Sequence, residues 1–172
     1  MIEFDIESFK SWVIKKGKHY CSKLFRFSPY LRKERFSQNV IFTTSCKYHL
    51  DYPDNLDINK LFGLSYGYHH RNSARFGWHY NAGNIQLFAY CYINGKRKES
   101  FICSLKIGTQ YKLTLITTSK KYCFVVTSKE TLRQVQVPHP RIPNYGYRLN
   151  PYFGGNQVAP QEMEILIHEN ED

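Results

Sequence analysis

From residue 73 to residue 127 the chain runs in short stretches of alternating character, each stopped by turn residues. That rhythm leaves little room for anything but antiparallel sheet. Ser73 to Tyr80 is followed by Asn81-Ala82-Gly83-Asn84 and then by Ile85 to Ile93. Asn94-Gly95 comes next, two residues that tolerate the positive φ angles of a tight hairpin. Phe101 to Ile107 resumes the sheet up to Gly108, and Tyr111 to Thr118 pairs with Tyr122 to Thr127 across Ser119-Lys120-Lys121. Upstream, Val40 to Tyr48 is rich in β-branched and aromatic residues and reads as a strand. Ser11 to Ile14 and Lys18 to Phe27 flank a turn at Lys16-Gly17. A rival reading makes residues 6–16 a short helix, with Ile6, Phe9, Val13 and Ile14 on one face. Beyond Pro138, Pro140 and Pro143, Tyr145 to Leu149 and Met163 to His168 read as closing strands. The expected fold is all-β, an antiparallel two-sheet sandwich of the jelly-roll kind formed by residues 1–172 as a single domain.

Composition agrees with that reading and narrows the function classes. Fourteen Tyr, twelve Phe and two Trp suit half-buried pleated surfaces, and Tyr also brings a polar tip to a binding face. The net charge is +10, and five of the fourteen acids lie in the last eleven residues, which hold no Lys or Arg. A field of that sign attracts polyanions without naming one. Five cysteines, Cys21, Cys46, Cys91, Cys103 and Cys123, show no metal-ligand spacing and read as small apolar fillers of a reduced protein. No apolar run reaches membrane-spanning length, and Met1-Ile2-Glu3-Phe4-Asp5 lacks the layout of a signal peptide. As written the chain is expected in the cytoplasm, or outside it if an export signal was trimmed.

Residues 57–80 hold the densest set of hydrogen-bonding side chains: His69, His70, Arg71, Asn72, Ser73, Arg75 and His79. In a strand, Ala74, Phe76, Trp78 and Tyr80 share one face, and Ser73, Arg75, Gly77 and His79 the other. The next strand divides likewise, with Ile85, Leu87, Ala89 and Cys91 suited to a core and Gln86, Phe88, Tyr90 and Tyr92 to an open face. A hairpin then sets Arg75 and His79 beside Tyr90 and Tyr92. Flat rings stack on the C–H face of a sugar, and a guanidinium fork holds hydroxyls or a carboxylate. The bland alternative is that Arg75 stacks on Tyr90 and both merely finish an exposed sheet.

Reaction classes separate on the same residues. Metal binding by His69, His70 and His79 is not expected, because adjacent strand side chains diverge and no further ligand follows at ligand spacing. No cofactor is implied. Glu99 is the only acid in residues 58–129, too few for the paired carboxylates of a glycoside hydrolase. Proton abstraction by His79 with a Tyr as acid and Arg75 neutralising a uronate carboxylate would resemble β-sandwich polysaccharide lyases. Residues 147–160, containing Pro151, Tyr152, Gly154, Gly155, Asn156 and Pro160, read as an ordered loop that either walls a groove with Tyr152 and Asn156 or simply crosses between sheets.

Four blocks, Asp57-Ile58-Asn59-Lys60-Leu61-Phe62-Gly63, Asn72-Ser73-Ala74-Arg75-Phe76-Gly77-Trp78, Tyr92-Ile93-Asn94-Gly95 and Pro151-Tyr152-Phe153-Gly154-Gly155, carry a family resemblance. Together they resemble a family of uncharacterised bacterial proteins similar to the concanavalin A-like lectin/glucanase jelly rolls. The resemblance implies a sandwich whose concave sheet receives carbohydrate, and it supplies no reaction. The acidic signature of the glucanase members is absent here.

The expected function is therefore lectin-like binding of a carbohydrate, neutral or anionic, with no catalytic residue assigned. Arg75, His79, Tyr90 and Tyr92 form its floor, and His69, His70, Asn72 and Tyr152 its rim. A uronate lyase is the enzymatic alternative. A third reading is polyanion or nucleic-acid binding through Lys10, Lys15, Lys16, Lys18, Lys23, Arg26, Arg32, Lys33 and Arg35, with no nucleic-acid motif behind it. A fourth is a scaffold sandwich with no small ligand.

Overall fold

Twelve strands form two antiparallel six-stranded sheets packed face to face as a jelly-roll sandwich, in a computed structural model that describes residues 5–21, 29–31 and 34–169. In chain order they are β1 (Lys10–Ile14), β2 (Pro29–Leu31), β3 (Arg35–Phe42), β4 (Asn59–Ser65), β5 (Ser73–Asn81), β6 (Asn84–Ile93), β7 (Lys96–Leu105), β8 (Gln110–Thr117), β9 (Lys121–Thr127), β10 (Leu132–Pro138), β11 (Tyr145–Leu149) and β12 (Met163–Glu169). One sheet has the order β1-β12-β3-β8-β9-β10 and the other β2-β11-β4-β5-β6-β7. The hairpins between β5, β6 and β7 turn on pairs of positive-φ residues, Ala82 and Gly83 in the first and, as the sequence leads one to expect, Asn94 (φ 50°) and Gly95 (φ 80°) in the second.

One contiguous core fills the space between the sheets. Ala74, Phe76 and Trp78 of β5 and Ile85, Leu87, Ala89 and Cys91 of β6 are all fully buried, so both strands send the expected sets inward. A run of rings ties sheet to sheet: Phe36 of β3 meets Phe62 of β4, Phe62 meets Phe76 of β5, and Phe76 meets Phe124 of β9. Their centroids are 5.4, 5.4 and 5.1 Å apart. No disulfide joins the five cysteines, and Cys46, Cys91, Cys103 and Cys123 are buried in the sandwich.

The structure departs from the sequence reading at several elements. The strand expected at Val40 to Tyr48 begins earlier, at Arg35, and stops at Phe42. There the Thr43 hydroxyl accepts the N–H of Ser45 and starts a 3-10 turn over Thr44–Cys46. The helix alternative for residues 6–16 reduces to one 3-10 turn at Ile6–Ser8, followed by β1. Of the strand expected over Lys18 to Phe27, Tyr20 and Cys21 make single bridges, and residues 22–27 lie outside the described residues. Three strands have no counterpart in the sequence reading, the short β2, β4 and β10. β4 carries a bulge between Lys60 and Gly63 that places both Leu61 and Phe62 in the core and breaks the alternation. β10 is a polar edge strand ending on Pro138, where an absent N–H costs nothing. Among the described residues no helix is long and apolar enough to cross a membrane.

Candidate functional site

The outward face of β4, β5 and β6 forms the floor of an open cavity of about 770 Å³. Its register follows from the pairing. Arg75 stands opposite Tyr90, Ser73 opposite Tyr92, and Lys60 of β4 opposite Gly77. Two segments build the walls. One is the loop between β4 and β5, which brings His69 and His70. The other is the stretch after β11, which brings Asn150, Pro151, Tyr152 and Gly155, with Tyr20 and Cys21 beside it. Lys60, Arg75, Tyr92 and Tyr152, one from each of the four sequence blocks set out above, thus meet around one space.

Glycine is what lets these segments close up. A Cβ at Gly63 would lie 2.1 Å from the carbonyl oxygen of Ala74 and 2.8 Å from Cγ of Arg75, so the arginine stem needs that bare backbone beneath it. A Cβ at Gly154 would lie 2.3 Å from the carbonyl oxygen of Ile58 and 2.4 Å from Nζ of Lys60. The stretch after β11 is held there by Lys60 and Tyr152, each donating its backbone N–H to the other's carbonyl (2.8 and 2.9 Å), and by Gly154 N–H donating to Oδ1 of buried Asn59 (2.8 Å).

Two cations lie on the floor, and among the described residues neither has an ion-pair partner. Arg75 donates from Nη2 to the carbonyl of Asn150 at 2.6 Å, while its Nε is shut off from solvent with no hydrogen-bond partner. Burial pulls its pKa down to about 10, against a smaller raising effect of Tyr90, Tyr152 and Tyr147. Lys60 holds Nζ 4.9 Å from the centroid of the Tyr90 ring, and burial followed by the nearby Arg75 charge brings its pKa down to about 8. Tyr90 is pushed up to about 12 by burial and then by Tyr92, so its hydroxyl stays neutral.

The rim is aromatic. His69 and Tyr147 form a hydrogen bond, Nδ1 to hydroxyl, of 2.6 Å, and burial, then His70, then Arg75 lower the His69 pKa to about 4. The ring is therefore neutral at physiological pH, one nitrogen accepting and the other donating. His70 packs edge-on against Tyr92 with centroids 5.3 Å apart. Tyr152 stacks on His19 at 5.2 Å with planes 10° apart, and Tyr20 meets it edge-on.

Of the residues singled out in the sequence, Arg75, Tyr90, Tyr92, His69, His70 and Tyr152 line this one cavity. His79 and Asn72 do not. His79 sits opposite Gln86, four residues along β5 from Arg75. It is buried, with Nδ1–H donating to the carbonyl of Leu56 (3.2 Å) and its ring against Phe88, and burial lowers its pKa. Asn72 is buried in the loop, its Oδ1 accepting the N–H of Asn94 (3.1 Å) and its own N–H donating to Tyr68 (3.0 Å). It therefore joins the β4–β5 loop to the β6–β7 hairpin. Lys60 and Tyr147 escaped the sequence reading. Lys60 lies just before the bulge of β4, where alternation gives no guide; its one signal is the side-chain-free Gly77 opposite. Tyr147 is brought to His69 by long-range pairing alone.

No protein-family model and no curated protein matches the sequence. Solved structures match by fold. A functionally unknown protein from Saccharomyces cerevisiae superposes with a TM-score of 0.60 at 11% identity, over 97% of this chain and 88% of its own. The alginate lyase from Klebsiella pneumoniae gives 0.55 at 6%, over 78% of this chain and 56% of its own. A glycosyl hydrolase family protein from Mycobacterium fortuitum gives 0.53 at 12%, over 92% and 72%. At such identities the likeness establishes a shared β-sandwich fold.

Proposed function

We propose that the protein binds carbohydrate in the cavity on the outer face of β4, β5 and β6. The observation that carries this reading is the convergence, in about 770 Å³ of open space, of the rings of Tyr20, Tyr90, Tyr92 and Tyr152 with the polar groups of Lys60, Arg75 and His69. Rings give a sugar apolar faces to lie on, and the donors meet its hydroxyls. Solved proteins of the same sandwich fold include a glycosyl hydrolase family protein and an alginate lyase, which supports a saccharide as the ligand class. Calorimetric titration with a panel of neutral and uronate trisaccharides at physiological salt tests it. Selective binding that is lost in Tyr90→Ala is the expected result. Silence across the panel, or binding indifferent to Tyr90→Ala, refutes it. Indiscriminate, salt-sensitive binding to heparin and DNA alike would move the ligand surface to the basic amino-terminal stretch, of which Lys23, Arg26, Arg32 and Lys33 lie outside the described residues.

A second reading, uronate β-elimination, is favoured by the neutral His69 held by Tyr147 beside Arg75. His69 replaces His79 as the base, since His79 lies outside the cavity. In that step the imidazole takes the C5 proton and the freed electron pair forms the C4=C5 double bond. The C4–O bond breaks, and a lining tyrosine protonates the leaving oxygen. Incubation with alginate, pectate and glucuronan should then produce the ultraviolet absorbance of unsaturated ends, lost in His69→Ala. No absorbance with any of the three withdraws the reading.

A further inference from the structure

Two cations share the floor of this cavity, and among the described residues no acid forms an ion pair with either. The only acid in residues 58–129, Glu99, lies near the exposed side chain of Arg97 (3.7 Å) on β7, and Asp57 acts on Lys60 more weakly than Arg75 does. Removing two like charges from water beside each other costs stability, and an anion seated between them offsets that cost. The chain also fixes where the charges stand. Lys60 is pinned by backbone pairing with Tyr152 on one side, lies against the Tyr90 ring, and needs the missing side chain of Gly154 to make room for its ammonium. Arg75 is anchored by Asn150 and crosses the bare backbone of Gly63. Neither is a solvated surface charge that happens to point inward.

We infer that Lys60 and Arg75 together seat a carboxylate of the bound saccharide, so that the cavity selects uronate-containing glycans over neutral ones and Lys60 sets that preference. The inference rests on the carbohydrate reading above and deepens it. A planar carboxylate meets the guanidinium on one side and the ammonium on the other, while the sugar ring bearing it lies against the tyrosines. Charge-assisted hydrogen bonds in such a place make the uronate at least about tenfold tighter than its neutral counterpart.

The pair also makes recognition depend on pH in a definite direction. The groups acting on Lys60 are Arg75 on β5, Arg97 and Glu99 on β7, and Asp57 just before β4, with the Tyr90 ring of β6 beneath. In the free protein the ammonium loses its proton as pH rises through about 8. A bound carboxylate holds that proton on, so uronate affinity falls by up to about tenfold per pH unit above that point. Affinity for a neutral sugar has no such slope.

The test measures Kd for matched uronate and neutral trisaccharides (mannuronate with mannose, galacturonate with galactose, glucuronate with glucose) at pH 7 and pH 9.5. It uses the wild-type chain, Lys60→Met and Lys60→Arg, each first checked for a cooperative melt. Expected are a wild-type preference for one uronate over its neutral partner that shrinks at pH 9.5, a preference collapsing toward unity in Lys60→Met, and one retained without the pH dependence in Lys60→Arg. Equal binding of uronate and neutral sugars by the wild type, or an undiminished preference in Lys60→Met, overturns the inference and leaves carbohydrate binding standing. Binding of neither class defeats the carbohydrate reading itself.

Discussion

Arg75→Met should abolish saccharide binding, with a loss of about 100-fold or more, and should leave the melting temperature at or above that of the wild type. The two halves have one cause. The guanidinium is held among Tyr90, Tyr147 and Tyr152 with no acid beside it and with Nε unsatisfied, so in the free protein it is a desolvated charge near another cation. Methionine fills much of the same volume without that cost and gives up one hydrogen bond, to Asn150. Removing the Arg75 charge also relieves Lys60, whose pKa rises toward its ordinary value. Differential scanning calorimetry and titration calorimetry on the same preparation check both halves. A clear fall in melting temperature would mean that Arg75 is structural, and unchanged affinity would mean that it is not on the binding face.

Trp78→Ala should destabilise the fold by about 3 to 5 kcal/mol, the range for deleting a large aromatic from a packed core. Trp78 is fully buried on the inward face of β5, 5.2 Å from the ring of Phe42 in the opposite sheet and 6.0 Å from Tyr48. Its indole N–H has no hydrogen-bond partner, so the loss is one of packing and buried area. Urea denaturation monitored by circular dichroism measures it. A midpoint equal to that of the wild type would show that the two faces of β5 are exchanged, and the floor of the cavity would then be misplaced with them.

The parts of the fold legible in the sequence are those governed by local rules. Asn94-Gly95 locates its hairpin because Asn and Gly both accept positive φ at little cost. Strict alternation in β5 and β6 sorts Phe76 and Trp78 inward and Arg75 and Tyr90 outward. Where a strand departs from alternation, the pattern is silent. The bulge in β4 puts Leu61 and Phe62 side by side in the core and hides the outward placing of Lys60, the residue on which the inferred specificity turns. The candidate site was legible to the same extent. The floor pair Arg75 and Tyr90 comes from one hairpin, whereas the contact of His69 with Tyr147 spans 78 residues and that of Lys60 with Tyr152 spans 92, both across a crossover between sheet neighbours. His79 shares the outward face of β5 with Arg75 but lies four residues along it, outside the cavity lining. Alternation fixes the side of a sheet but not which stretch of it a loop leaves open.

The most direct test of the account is the structure of the protein with its preferred uronate trisaccharide bound. It should show the carboxylate between Nζ of Lys60 and the guanidinium of Arg75, with sugar rings against Tyr90, Tyr92 or Tyr152. A saccharide seated elsewhere on the sandwich, or in the cavity with its carboxylate turned away from both cations, would contradict it.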